Sequence, residues 1–231
     1  MRMMAFEEGE YYHVFNRGVE KRDVFSDGED LGRFLESMEE FNSIKPIGSI
    51  YEKRIQERPS SKPRPIDQFG SLAPKTIPTR SSLVEIICYC LNPNHFHLLL
   101  KQCDEFGIQK YMQRLGTGYT NYFNEKNKRS GSLFQGTYKA VHIESNEQLL
   151  HTSVYVNLNN KFGSLAPKLS QSSWNQYMNL PNGIKVPLCS KEVILEQFGS
   201  IDEYKEFATS SFADIVDRKQ GEKDMKWLLG S

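Results

Sequence analysis

His95-Phe96-His97, followed by Leu98-Leu99-Leu100 and preceded by the turn Leu91-Asn92-Pro93-Asn94, is the stretch whose residue types and spacing point to chemistry. Side chains two apart on a strand leave the same face. His95 and His97 therefore share one side, while Phe96 and Leu98 turn to the core. Two imidazoles so placed suit one metal ion. They do not complete a site, so a third protein ligand must come from another element. The plainer reading is a pair of polar histidines on the solvated face of a half-buried sheet.

A helix predicted from Glu147 to about Leu158, capped by Ser145, offers partners. Leu150, Val154 and Leu158 form its apolar stripe. His151, Tyr155 and Asn159, four apart, form a second stripe offset from the first. An apolar face for the sheet and a polar face toward a cleft are what an active-site helix requires. The plainer readings are a surface histidine, a half-buried tyrosine with its hydroxyl at the rim, and an asparagine that caps the helix.

A third feature is electrostatic. Between Gln109 and Val141 stand Lys110, Arg114, Lys126, Lys128, Arg129 and Lys139, against Glu125 alone. Tyr119, Tyr122, Phe123, Phe134 and Tyr138 are interleaved with them. Cations that meet phosphates and rings that stack on unpaired bases suit a single-stranded nucleic acid, and Arg129-Ser130-Gly131-Ser132 is a candidate phosphate-touching loop. An ordinary solvated helix and turn is the alternative.

The elements that must position these groups follow from periodicity. Tyr11 to Asn16 reads as an opening strand. Ser26 or Asp27 caps a helix with the stripe Leu31, Phe34, Leu35, Met38 and Phe41. Leu83 to Cys90 and His95 to Leu100 form an antiparallel hairpin. A helix runs from Ile108 to about Phe123, with Gly116 and Gly118 marking a close approach. Leu133 to His142 is extended. Residues 191 to 229 read as two or three short helices with an acidic balance. Residues 52–82 carry five prolines and seven Lys or Arg against three acids, and read as a long loop insertion. Phe69-Gly-Ser-Leu-Ala-Pro-Lys75 recurs as residues 162–168 without matching flanks, which is not a solenoid period.

Bulk properties narrow the class. The 231 residues suffice for a sizeable core, and Lys+Arg and Asp+Glu are both 29, which argues against indiscriminate coating of nucleic acid. Cys88, Cys90, Cys103 and Cys189 lack metal-ligand spacing and read as buried thiols in a reducing compartment. Neither a signal peptide nor a membrane span is legible, so no membrane partner and a cytoplasmic location are expected.

Four segments together resemble the REP-associated tyrosine transposases, within the single-tyrosine transposases that carry a histidine–hydrophobe–histidine (HUH) motif. They are YYHVFNRG, LNPNHFHLLL, RLGTGYTNYFNEKNKRSGSLFQGTYKAV and YVNLNN. The tail LEQFGSIDEYKEF is similar to the segment after the catalytic domain in such relatives. The family's helix usually ends Leu-Asn-Pro, where Asn160 stands here in place of the proline.

The resemblance implies an α+β, ferredoxin-like fold. A central antiparallel sheet would have helices packed on one face, with a catalytic domain over 1–178 and a small C-terminal helical extension over 179–231. It implies a divalent metal, Mg2+ or Mn2+, held by His95, His97 and Asn159, and Tyr155 as nucleophile. That tyrosine would cleave and rejoin single-stranded DNA through a 5′-phosphotyrosine link, with His151 a possible helper. Tyr111, Tyr119 and Tyr122 are the competing tyrosines. The implied partner is a DNA hairpin with a short recognition sequence beside it, bound by a monomer or homodimer. Lys110, Arg114, Tyr119, Lys126, Lys128, Arg129 and Lys139 would line the DNA track. Two other readings remain: a nucleic-acid-binding module of the same fold without catalysis, and a metal-dependent hydrolase of a small phosphate ester.

Overall fold

The computed structural model describes residues 5–48, 50, 82–161, 169–181 and 187–221. Both copies of the FGSLAPK repeat and almost all of the proline-rich insertion lie outside the described residues.

Among the described residues, five strands make one antiparallel sheet, in the order β4-β1-β3-β2-β5. They are β1 (Tyr11–Arg17), β2 (Val84–Asn92), β3 (His95–Gln102), β4 (Lys139–His142) and β5 (Gln171–Ser172). Helix α1 (Gly28–Glu40) joins β1 to β2, and α2 (Gly107–Lys126) joins β3 to β4. The chain thus runs β-α-β-β-α-β through four strands ordered 4-1-3-2, which is the ferredoxin-like arrangement. The expected α+β fold is borne out. The extended segment expected over 133–142 pairs as a strand only at its end; before that, Phe134 makes a single bridge to Gly18.

Local chemistry explains the helices. Asp27 accepts a hydrogen bond from the Asp30 amide at 2.9 Å and starts α1. Leu31, Phe34 and Met38, at helical spacing, are buried beneath it. From α2, Ile108, Tyr111, Leu115 and Tyr119 join the same core with Val14, Phe96, Leu98 and Leu100 of the sheet. Gly118 marks the close approach read in the sequence, since a Cβ there would lie 2.5 Å from the Phe41 ring.

The helices cover two faces of the sheet, not one. Helix α3 (Asn146–Asn157), started by the Ser145 hydroxyl accepting from the Gln148 amide at 3.1 Å, packs on the face opposite α1 and α2. Val154, Tyr155, Val156 and Leu158 meet Cys88, Cys90 and Leu99 there. The tail joins this second layer through α4 (Trp174–Tyr177), α5 (Glu192–Leu195) and α6 (Ile201–Gly221). Of the two or three short helices expected over 191–229, α5 is short, whereas α6 is a single helix of 21 residues. Its Tyr204 is buried in the second core, and the Asn157 amide donates to its hydroxyl at 3.2 Å.

A break in register within β2 decides which side chains reach that second face. Val84 pairs with Gln102 and Ile86 with Leu100, but Cys88 pairs with Leu99, so one residue is extra between Ile86 and Cys88. A bulge of this kind shifts every later side chain to the other face. Before it, even-numbered residues face α1 and α2. After it, Tyr89 and Leu91 do, and Cys88 and Cys90 turn to the second face. Asn92 follows the same alternation and comes opposite His95.

Candidate active site

On the α3 face of the sheet, His95 and His97 of β3 meet the C-terminal end of α3 and the end of β2. The second core makes this face dry rather than solvated: His97 is 5% exposed, Asn159 6% and Tyr155 1%. His95 Nδ1 donates to the Asn94 side-chain oxygen at 2.6 Å. The ring's lone pair is then on Nε2. There the Asn92 amide donates at 3.0 Å, and the same nitrogen donates to Asn159 Oδ1 at 2.7 Å. His95 Nε2 and Asn159 Oδ1 are thus two acceptors 3.3 Å apart that share the Asn92 amide as donor.

That geometry suits a cation. Two donors at right angles on a small divalent ion, each about 2.1 Å from it, stand about 3 Å apart. The His95 and His97 rings are 5.2 Å apart and nearly perpendicular. The donor set of two imidazoles and an amide oxygen therefore fits a divalent metal on the geometry of these side chains.

Tyr155 lies at the same cluster. Its ring packs edge-on against His97 at 5.4 Å and against His13 at 5.8 Å. Burial pushes its phenol well above the usual tyrosine range, and a hydrogen bond with Asn159 opposes that rise. The hydroxyl is thus turned to the donor cluster and shielded from solvent.

His151 does not join the cluster. It is exposed, with its ring 5.4 Å from Phe207. Tyr155 and His151 are one turn apart in α3, with Tyr155 buried and His151 exposed, and Asn159 reaches the cluster from the 3-10 turn Asn159–Lys161 that follows the helix.

Sequence reading missed His13. It is 2% exposed on β1, and its Nε2 lies 2.9 Å from His97 Nδ1, with the two rings near-parallel and their centroids 5.1 Å apart. Nothing in the spacing signals it, since 84 residues separate the pair. Only the pairing of β1 with β3 brings them together.

The basic track is largely redistributed by the fold. Helix α2 lies behind the sheet, on the face opposite the cluster. Lys110 is held by Asp104 and the Glu105 carbonyl, each at 2.7 Å. Arg114 donates to the Ser43 and Ile44 carbonyls. Lys126 is bound by Asp27, Glu29 and Asp30. Tyr119 offers no surface for base stacking: it is wholly buried, and its hydroxyl donates to the Val24 carbonyl at 2.6 Å. Tyr111 is likewise buried, and it donates to the Met38 carbonyl. Tyr122 donates to Asp30 on this same rear face.

Other bases of the track lie elsewhere. Lys128 is exposed at a left-handed turn, and Arg129 spans Ser132 and the Phe123 ring. Lys139 pairs with Phe15, which pairs in turn with His97, so these three stand in one row across the sheet. Arg17, unremarked in the sequence, pairs with His95 in the next row. The rows place Arg17 and Lys139 on the side of the histidines.

Fold and cluster define an α+β protein with a histidine–amide–tyrosine constellation on one sheet face. Residues 77–159 match the family model described as "Transposase IS200 like". The matched stretch spans His95, His97, Tyr155 and Asn159, and bears out the resemblance to the single-tyrosine transposases over that segment. Comparison with curated proteins gives no match. Among solved structures, one described as a REP-associated tyrosine transposase bound to a REP hairpin is 11% identical, covering 82% of this chain and 93% of its own, with a TM-score of 0.47. Among the described residues, no helix is long and apolar enough to cross a membrane.

Proposed function

We propose that the protein cleaves and rejoins single-stranded DNA, with Tyr155 as nucleophile and with His95, His97 and Asn159 as ligands of Mg2+ or Mn2+. The observation that carries this is the convergence of His95 Nε2 and Asn159 Oδ1 to 3.3 Å with the Tyr155 hydroxyl bonded to the same Asn159. A divalent cation there would offset the charge that builds on a phosphate in flight. The chain's own part is positional. The sheet fixes both histidines, the 3-10 turn after α3 carries Asn159, and the tyrosine is held one hydrogen bond from the donors.

In the forward step the Tyr155 oxygen bonds to phosphorus and the bond from phosphorus to the 3′-oxygen breaks. The phenolic proton leaves Tyr155, and the departing 3′-oxygen takes up a proton. The reverse step restores the strand. Tyr155 must first come out of its buried position, because burial raises the energy of its phenolate. Arg17 and Lys139, on the same face, are the bases proposed to meet the DNA backbone, with Lys128 and Arg129 in the loop that pairs to β1 through Phe134 and Gly18.

The test is a labelled single-stranded hairpin incubated with Mn2+ or Mg2+ and resolved on a denaturing gel. Wild type is expected to give a covalent protein–DNA band, and Tyr155→Phe to bind the DNA and give none. An undiminished adduct with Y155F overturns the assignment. The 1% exposure of Tyr155 favours a second reading, a single-stranded nucleic-acid-binding protein of this fold without catalysis. That reading predicts binding with no adduct under either metal.

A further inference from the structure

The buried contact between His13 and His97 has no part in the proposed reaction, yet it joins two nitrogens 2.9 Å apart across adjacent strands. A hydrogen bond between two neutral imidazoles holds one proton, and it can sit on either ring. If His13 Nε2 carries it, His97 accepts at Nδ1 and must bear its own proton on Nε2. A cation then finds no lone pair at His97. If His97 Nδ1 carries it, the His97 Nε2 lone pair is available. A ligating histidine characteristically donates its other ring N–H to a fixed acceptor, which sets both tautomer and ring orientation.

We propose that His13 is a positioning residue for His97: its Nε2 accepts the Nδ1–H of His97, and this leaves the His97 Nε2 lone pair for a divalent cation. Two observations support this. The two rings lie within 21° of parallel with centroids 5.1 Å apart, the side-by-side placement that an in-plane N–H···N bond requires. Both rings are packed edge-on by Tyr155, so the His13–His97 pair lies directly against the proposed nucleophile. His95 follows the same logic on the other side of the site, with the Asn94 side-chain oxygen as its acceptor.

The cation half of this proposal rests on the reading of the site given above, whereas the tautomer is a property of the metal-free protein. The experiment therefore has two readouts on the full chain. The first is long-range proton–nitrogen correlation on ring-15N-labelled histidines of the metal-free protein, with His97 assigned from H97Q. The expected spectrum shows His97 protonated at Nδ1. A His97 protonated at Nε2 overturns the proposal.

The second readout is Mn2+ binding by calorimetry. His13→Phe keeps the ring shape and removes the acceptor, and is expected to weaken Mn2+ by about 10- to 100-fold. His13→Gln supplies a carbonyl acceptor and is expected to recover most of that loss. Wild-type affinity in H13F overturns the proposal. If H13F does not fold, the wild-type spectrum and the H13Q affinity decide. Absence of Mn2+ binding by wild type overturns the cation reading and the half that depends on it, while the tautomer result still decides whether His13 orients His97.

Discussion

At the residue scale, the site consists of polar groups in a dry layer, and its costs are those of unpaired lone pairs and charges. Asn92 holds the acceptors of His95 and Asn159 together through one amide nitrogen. Asn92→Leu is expected to leave both without that donor and to cost about 1–3 kcal/mol in urea denaturation. Added Mn2+ should recover part of that loss. His13 gives a pH dependence with a definite sign. Its folded pKa, about 3, lies below the ordinary value of 6.5, so the unfolded chain binds the extra proton between the two. Stability from this group is complete above 6.5 and is lost as pH falls toward 3. Between pH 7 and pH 5 the loss is about 2 kcal/mol. Urea midpoints at the two pH values should show it, and H13Q should flatten the difference.

At the element scale, the sequence foretold more than it could place. The α1 stripe, the β2–β3 hairpin, the start of α2 and the Ser145 cap are all periodicity or cap chemistry, and each is present. Ser145→Ala should loosen the first turn of the helix that carries Tyr155. The expected cost is about 1 kcal/mol, or roughly 2–4 °C in thermal midpoint. The bulge in β2 was not legible. Ile86-Ile87-Cys88 is an unbroken apolar run, and nothing in it states which residue is extra. Yet that residue decides that Asn92 follows Cys88 and Cys90 onto the histidine side. Hydrophobic alternation fixes register only where one face is polar, and here both faces are buried.

At the scale of the whole molecule, the two faces of the sheet separate roles that lie together in the sequence. The bases of α2 brace the back of the fold, whereas Arg17 and Lys139 stand with the histidines. Arg17→Ala and Lys139→Ala are therefore expected each to weaken single-stranded DNA binding and to reduce the salt slope by about 1. Lys110→Ala should leave that slope unchanged in a fluorescence-anisotropy titration. Lys126→Ala should instead lower stability, because Asp30 beneath it is wholly buried and would lose its cation. The C-terminal helices have a structural part as well. Ile194, Tyr204 and Ala208 complete the core on which α3 rests. Ending the chain at residue 178 is expected to lower the melting temperature and expose Asn157, read by hydrogen exchange of the α3 amides.

The sequence by itself determined the chemical alphabet: an HxH strand, a tyrosine and an asparagine four apart near a helix end, and the helices and strands that carry them. Those are local properties, set by spacings of two, three and four residues. Tertiary structure alone decided that His13 stands behind His97, that Asn92 bridges His95 and Asn159, that Tyr155 is covered, and that α2 faces away. Each depends on strand order, a bulge or the face a helix chooses. These are settled by packing between segments far apart in the chain, which leaves no periodic trace in either segment.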